Sequence, residues 1–426
     1  MESNYLLLIA FFLSCLFFIF ADIRFSLVSI FVVTFSAGQL IPLWGRQPFF
    51  FLFLFVVLVF FVHTFDLRRY AEIEWTRFEK LVLIYTINGI IYLILARENI
   101  LGQPEATELY RFVAVPMPAI FFFIVLFSLR AGHIKPEFLL KTVFVILSSV
   151  CILSLIYLQL TVGLTIEAGP QFLYVNANNF GALCASAFIF WVIYNPQHIF
   201  GRAVLAYINL SLLLGVALSQ SRAAILSIII SLILFMFSGR WIRRAFFFIP
   251  IIIILFLEIV QYIPLGIAEK LSLMRSAYYA GDITLATSGR FAMWQAAINY
   301  MLDAPLYAWL FGNGVGTFEV SANLYHGIID LQTHAHNHYL NELLIGGIWT
   351  LGLYLFMIGQ LFYDCYNALG KKEDRLPSAV FFMMVSYAFC DLFGSRFSGN
   401  SLYIVFPIIA LYYARYGFSR KNVTFH

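Results

Sequence analysis

Apolar segments long enough to cross a bilayer follow one another along nearly the whole chain, and this limits its fold more than any other feature. They lie near residues 5–21, 25–43, 49–65, 81–96, 112–129, 142–163, 179–195, 203–220, 223–238, 245–263, 341–363, 378–393 and 401–414. Hydrocarbon gives the backbone no hydrogen-bond partner, so each crossing is read as a helix of about 20 mostly apolar residues. Segments 25–43 and 401–414 are short or interrupted by polar residues. The expected fold is all-α and polytopic, with about 12 transmembrane helices, or 13 with both marginal segments.

Of the 426 residues, 62% are hydrophobic and 11% are Asp, Glu, Lys or Arg. A soluble domain cannot bury that excess, so lipid must cover it. No nucleic-acid partner is expected, because the placement of the few charges matters more than their sum of +4. The segment before Tyr5 has no basic residue and no small-x-small cleavage site precedes Asp22, so the first helix is read as uncleaved. Cys15, Cys151, Cys184, Cys365 and Cys390 sit in or beside apolar segments without a CxxC pair, which points to small buried side chains and not to a disulfide or metal site.

When the breaks are assigned alternately to two sides, one side holds 18 of the 26 Lys and Arg residues. By the positive-inside rule that side, which includes the C-terminus, is cytoplasmic. The chain then divides into N-terminal transmembrane helices over 1–263, a large external loop over 264–340, and C-terminal transmembrane helices with a short cytoplasmic tail over 341–426. A 77-residue break is far longer than a connection requires, which marks it as functional.

Polar groups at membrane depth are costly, so each is a candidate for function. Arg222, in Ser219-Gln220-Ser221-Arg222, stands at the external boundary, where a guanidinium can hold a pyrophosphate bidentately or can snorkel to lipid phosphates. In the loop, Thr287-Ser288-Gly289-Arg290 leads into Phe291, Trp294, Ile298 and Met301, an amphipathic helix capped by Ser288 or Thr287 and ended before Pro305. Such a helix either lies on the membrane, with Arg290 beside anion-favouring amides, or packs within an external subdomain.

Three of the eight histidines, His334, His336 and His338, fall in Thr333-His334-Ala335-His336-Asn337-His338-Tyr339, directly before a span. Alternating imidazoles can ligate a metal. The preferred reading makes one of them a general base, kept neutral by the positive N-terminal end of the following helix. Gly312-Asn313-Gly314-Val315-Gly316 is read as a turn, and Asp391 and Arg396 as a pair or as lining of the external cavity.

A synthetic enzyme outside the cytoplasm has no ATP and must use an activated donor, such as a glycan on a prenyl pyrophosphate. Here the chain resembles the O-antigen ligase family. Arg222-x3-Leu226 is similar to the family's Arg-x3-Leu element, and Ser288-Gly289-Arg290 with Trp294 to its second arginine site. His336-Asn337, nine residues, then Gly347-Ile348-Trp349-Thr350 fits its pattern of His-(Asn/Ser/Gln), nine residues, Gly, two residues and Gly/Thr/Tyr. The motifs cover about a fifth of the chain.

The resemblance implies a multi-pass inner-membrane glycosyltransferase with its site facing the periplasm and no metal or other cofactor. Undecaprenyl-pyrophosphate-linked glycan would be the donor and lipid A-core the acceptor. Arg222 and Arg290 would bind pyrophosphate; His336, or else His338, would be the base, with His334, Asn337, Asp391 and Arg396 as further site candidates. Two alternatives stay open: an O-antigen polymerase, and a transporter or flippase for a lipid-linked anion.

Overall fold

The computed structural model describes residues 23–35, 55–62, 75–94, 116–161, 177–195, 199–219, 221–237, 276, 279–281, 290–314, 317, 337–369, 374–391 and 402–417. The expected spans at 5–21 and 245–263 lie outside these residues, as do Thr287, Ser288, His334, His336 and Arg396. Every regular element among the described residues is helical.

In chain order the helices are α1 Ile23–Phe35, α2 Arg77–Ile94, α3 Met117–Arg130, α4 Pro136–Thr161, α5 Ala177–Tyr194, α6 Arg202–Ser219, α7 Arg222–Phe237, α8 Arg290–Asp303, α9 Leu306–Phe311, α10 His338–Ala368, α11 Leu376–Asp391 and α12 Leu402–Tyr416. Three of them, over Pro136–Ile156, Arg202–Ser219 and His338–Ala368, are long and apolar enough to cross a membrane. Four shorter apolar helices accompany them, Met117–Arg130, Asn179–Tyr194, Arg222–Phe237 and Leu376–Asp391.

Helix α5 is the hub, packed against α6, α7 and α11. Small side chains let it approach closely: at Gly181 a Cβ would overlap the Ser219 hydroxyl and lie 2.8 Å from Ser221 Cβ, and at Gly215 of α6 it would lie 2.6 Å from Cys151 Sγ and 2.7 Å from Cys184 Sγ. This is how helices associate in lipid, where packing replaces the hydrophobic drive. Around the hub, α3 pairs with α12, and α10 lies between α2 and α11.

The start of α2 is fixed by a reciprocal cap. Glu79 N–H donates to Thr76 Oγ1 (3.3 Å) while Thr76 N–H donates to Glu79 Oε2 (3.2 Å). The same carboxylate receives both terminal nitrogens of Arg130, at 3.2 and 2.5 Å, and Arg130 also donates to the Tyr413 carbonyl at 3.3 Å. Arg130, one of the 18 cations counted on the side read as cytoplasmic, is thus buried between α2, α3 and α12 with its charge neutralised. Removing it from the charge count leaves the asymmetry between the two sides intact.

Removing one partner of a buried ion pair strands the other, so Glu79→Ala is expected to cost about 3–5 kcal/mol. Replacing Glu79 and Arg130 together by apolar residues should recover most of that loss. Unfolding midpoints in detergent give the comparison; a single variant as stable as the parent would show that the pair is not what ties these three helices together.

Candidate functional site

The segment expected as a single span over 341–363 is instead bent back on itself. His338 and Tyr354 are 16 residues apart, about 24 Å along a straight helix. Their rings nevertheless meet edge to face with centroids 4.6 Å apart. The reversal is at Gly347, whose φ of 65° and ψ of −163° are open to glycine and almost nothing else. A short arm over 338–346 therefore lies beside the start of a long arm over 348–368, which at 21 residues and about 31 Å still suffices to cross the membrane alone.

Each end of the short arm is satisfied by a specific partner. At its start Asn337, with extended backbone, accepts from Leu340 N–H through its side chain at 3.1 Å. Where the arm stops, its last carbonyls would be orphaned. Instead Asn313 N–H donates to the Leu344 carbonyl (3.2 Å), Gly314 N–H to Ile345 (2.8 Å), and the Tyr92 hydroxyl to Gly346 (3.4 Å). In the described part of the glycine run, Gly312 and Gly314 have positive φ, and the Asn313 and Gly314 amides cap the arm.

The arm carries polar groups into the bundle. His338 is buried, with Nε2 3.6 Å from Glu342 Oε1 one turn along. The Tyr85 hydroxyl of α2 donates to the Glu342 carboxylate. On α11, Asp391 accepts from the Tyr354 hydroxyl at 2.6 Å, and the Tyr339 hydroxyl donates to the Ala388 carbonyl at 2.9 Å. Buried acids are tolerated only when so paired.

Arg222 belongs to the same end of the bundle. Ser227 and Ser386 meet hydroxyl to hydroxyl at 2.9 Å, and Phe235 meets Phe382, so α7 and α11 run antiparallel. Arg222 on α7 and Asp391 on α11 both lie five residues beyond the serine contact, about 7.5 Å in the same direction. Ser221 holds the start of α7 by accepting from Ala224 N–H at 3.4 Å.

Arg290, 68 residues on and on another helix, stands within electrostatic reach of Arg222. Partial burial lowers the Arg290 pKa from its ordinary value, and the Arg222 guanidinium lowers it further. Both arginines are the first residues of their helices, where the dipole adds more positive potential. Two partly buried cations at two helix N-termini cost stability, and an anion bound between them would offset that cost. Arg290 is held there because Met293, Ala297 and Met301 of α8 pack on Leu344 of the short arm.

The packed stripe of α8 is rotated from the expected one. It consists of Met293, Ala296, Ala297 and Met301, while Phe291 and Ile298 face outward. Alanine lets the helix sit close to the arm, which the larger Phe291 and Ile298 would prevent. The structure thus brings together Arg222 with Arg290, and His338 with Asp391 through Tyr354. It turns Asn337 into a helix cap, and His334, His336 and Arg396 lie outside the described residues. Tyr85, Glu342 and Tyr354 were not singled out from sequence; their one signal was a polar group within an apolar run.

These features define a polytopic helical membrane protein with a cationic and polar site at one end of its bundle. A family model described as O-antigen ligase matches residues 206–355, from α6 into the long arm of α10. Over that stretch the chain is similar to the O-antigen ligase family, and the match supports a glycosyltransferase of ligase or polymerase type in a bacterial membrane. No match was found among curated proteins.

Proposed function

We propose that the chain transfers completed O-antigen polysaccharide from undecaprenyl pyrophosphate to the lipid A-core of lipopolysaccharide, at the periplasmic face of the inner membrane. The observation that carries this reading is the pairing of Arg222 with Arg290, two guanidinium groups from distant segments gathered at two helix N-termini. A pyrophosphate, with charge on both phosphates, is the anion such a pair suits. The charge asymmetry of the loops supports reading this end of the bundle as external to the cytoplasm.

In the proposed reaction an acceptor hydroxyl oxygen attacks the anomeric carbon of the donor sugar. The bond from that carbon to the pyrophosphate oxygen breaks, and its electron pair leaves with undecaprenyl pyrophosphate. His336 takes the hydroxyl proton, and direct attack inverts the anomeric configuration. Arg222 and Arg290 stabilise the charge that grows on the departing group. No metal is assigned a step.

The test is transfer by purified protein from undecaprenyl-pyrophosphate glycan to lipid A-core in excess EDTA. Transfer that persists in EDTA is the expected result, and inhibition would return the three histidines to a metal site. Lengthening of the donor glycan in place of transfer to core would make the chain a polymerase. Movement of labelled donor across vesicles with no new glycosidic bond would make it a flippase.

A further inference from the structure

Three positions of the sequence pattern shared with the family, Asn337, Gly347 and Thr350, have no part in the chemistry just described. We propose that they are positioning residues: together they build the fold-back of α10 and so set where the histidine-bearing start of the short arm meets the substrate. This inference rests on the proposed transferase reading.

Each position meets a separate geometric requirement. Asn337 caps the arm at its first turn. Gly347 reverses the chain in a conformation closed to other residues, and a Cβ there would lie 2.5–2.6 Å from the backbone of Leu310 and Phe311. Thr350, three residues past the reversal, ties the long arm to α2 by accepting from Asn88 Nδ2 at 2.9 Å. Asn88 Oδ1 in turn accepts from Trp349 Nε1 at 3.1 Å. Gly346 completes the corner, since a side chain there would overlap the Thr350 hydroxyl and lie 2.9 Å from Tyr92 Cε2.

The nine residues between Asn337 and Gly347 are then the length of the arm. It reaches from the level of Tyr354 and Asp391 up to the corner beside Tyr92. Along α2 the contacts descend in order, Tyr92 with Gly346, Asn88 with Thr350, and Tyr85 with Tyr354 and Glu342. A change at the corner tilts the arm and moves its far end, at His338. Arg222 stands on α7, apart from the arm, whereas α8, which carries Arg290, packs on the arm at Leu344, so donor binding is expected to weaken less than turnover.

The experiment measures kcat, KM for donor, and labelling of a cysteine at position 344 by a membrane-impermeant maleimide. Leu344 is buried under α8, and the four cysteines among the described residues are buried too; Cys15 is replaced by Ser. Gly347→Ala is expected to lower kcat about 10²-fold, since a misplacement of about 1 Å costs that much. KM should rise by less than kcat falls, and position 344 should label faster.

Thr350→Val is expected to lower kcat about tenfold, Thr350→Ser to restore it by returning the oxygen to Asn88, and Asn88→Ala combined with Thr350→Val to do no more harm than either alone. These milder variants decide the matter should Gly347→Ala fail to fold. A raised KM with unchanged labelling would overturn the proposal, because Gly347 would then be touching donor. So would a serine no better than valine. If the parent shows no transfer at all, the function reading fails, while the labelling contrast still decides whether the corner sets the arm.

Discussion

His336→Ala is expected to lower transfer by about 10²–10⁴-fold with donor binding and folding retained, the usual contribution of a positioned general base. The register of the sequence pattern selects His336 over its neighbours, and the structure supplies a contrast two residues on. His338 is enclosed against Tyr354 and beside Glu342, so its replacement by Ala opens a hole among buried polar groups. The two variants should therefore separate. One loses turnover at unchanged thermal stability, and the other loses stability as well. Turnover measured beside unfolding midpoints in detergent is the check. Near-normal transfer by His336→Ala would move the base to His334 or His338, or leave proton removal to the substrate itself.

The helices were legible because long apolar runs leave the backbone only its own hydrogen bonds, and eight of the expected segments overlap helices α2 to α7, α11 and α12, two of which are long and apolar enough to cross a membrane. The two arginines stood out because Arg222 lies at the edge of an apolar run and Arg290 opens a periodic helix, and the fold brings them near one another. The bend in α10 was not legible. Gly346 and Gly347 sit in an otherwise apolar run, and glycines there read as a tolerated weakness in a helix. What makes Gly347 a corner is non-local: the Leu310–Phe311 backbone against its Cα, and the amides of Asn313 and Gly314 on the last carbonyls of the arm. The rotated face of α8 was hidden for a similar reason, because period alone ranks Phe291 and Ile298 above alanine, whereas close packing prefers alanine.

Asp391 shows how partners decide a role. From sequence it paired with Arg396 or lined a cavity; in the fold its carboxylate takes the Tyr354 hydroxyl, and Tyr354 in turn packs on His338. A carboxylate thus steadies the imidazole through an intervening ring. The arm, the long helix and α11 become one polar unit at the end of an apolar bundle.

Arg222→Lys and Arg290→Lys are each expected to lower transfer by about 10²-fold although the charge is kept. A pyrophosphate bridging two guanidinium groups takes two parallel N–H donors from each, whereas an ammonium is a point charge on a flexible stem. The loss should fall on kcat more than on KM, because the negative charge grows on the pyrophosphate as the glycosidic bond breaks, and only interactions stronger at that stage speed the reaction. Arg290 is held in place by α8 packing against the short arm, so its lysine variant should fold normally. Single-turnover rates with purified protein, with wild type as reference, separate binding from chemistry. Two lysine variants that both transfer at near wild-type rates would reduce the arginines to lipid-phosphate anchors. A severe loss in one alone would show that a single guanidinium grips the leaving group and the other only shapes the potential around it.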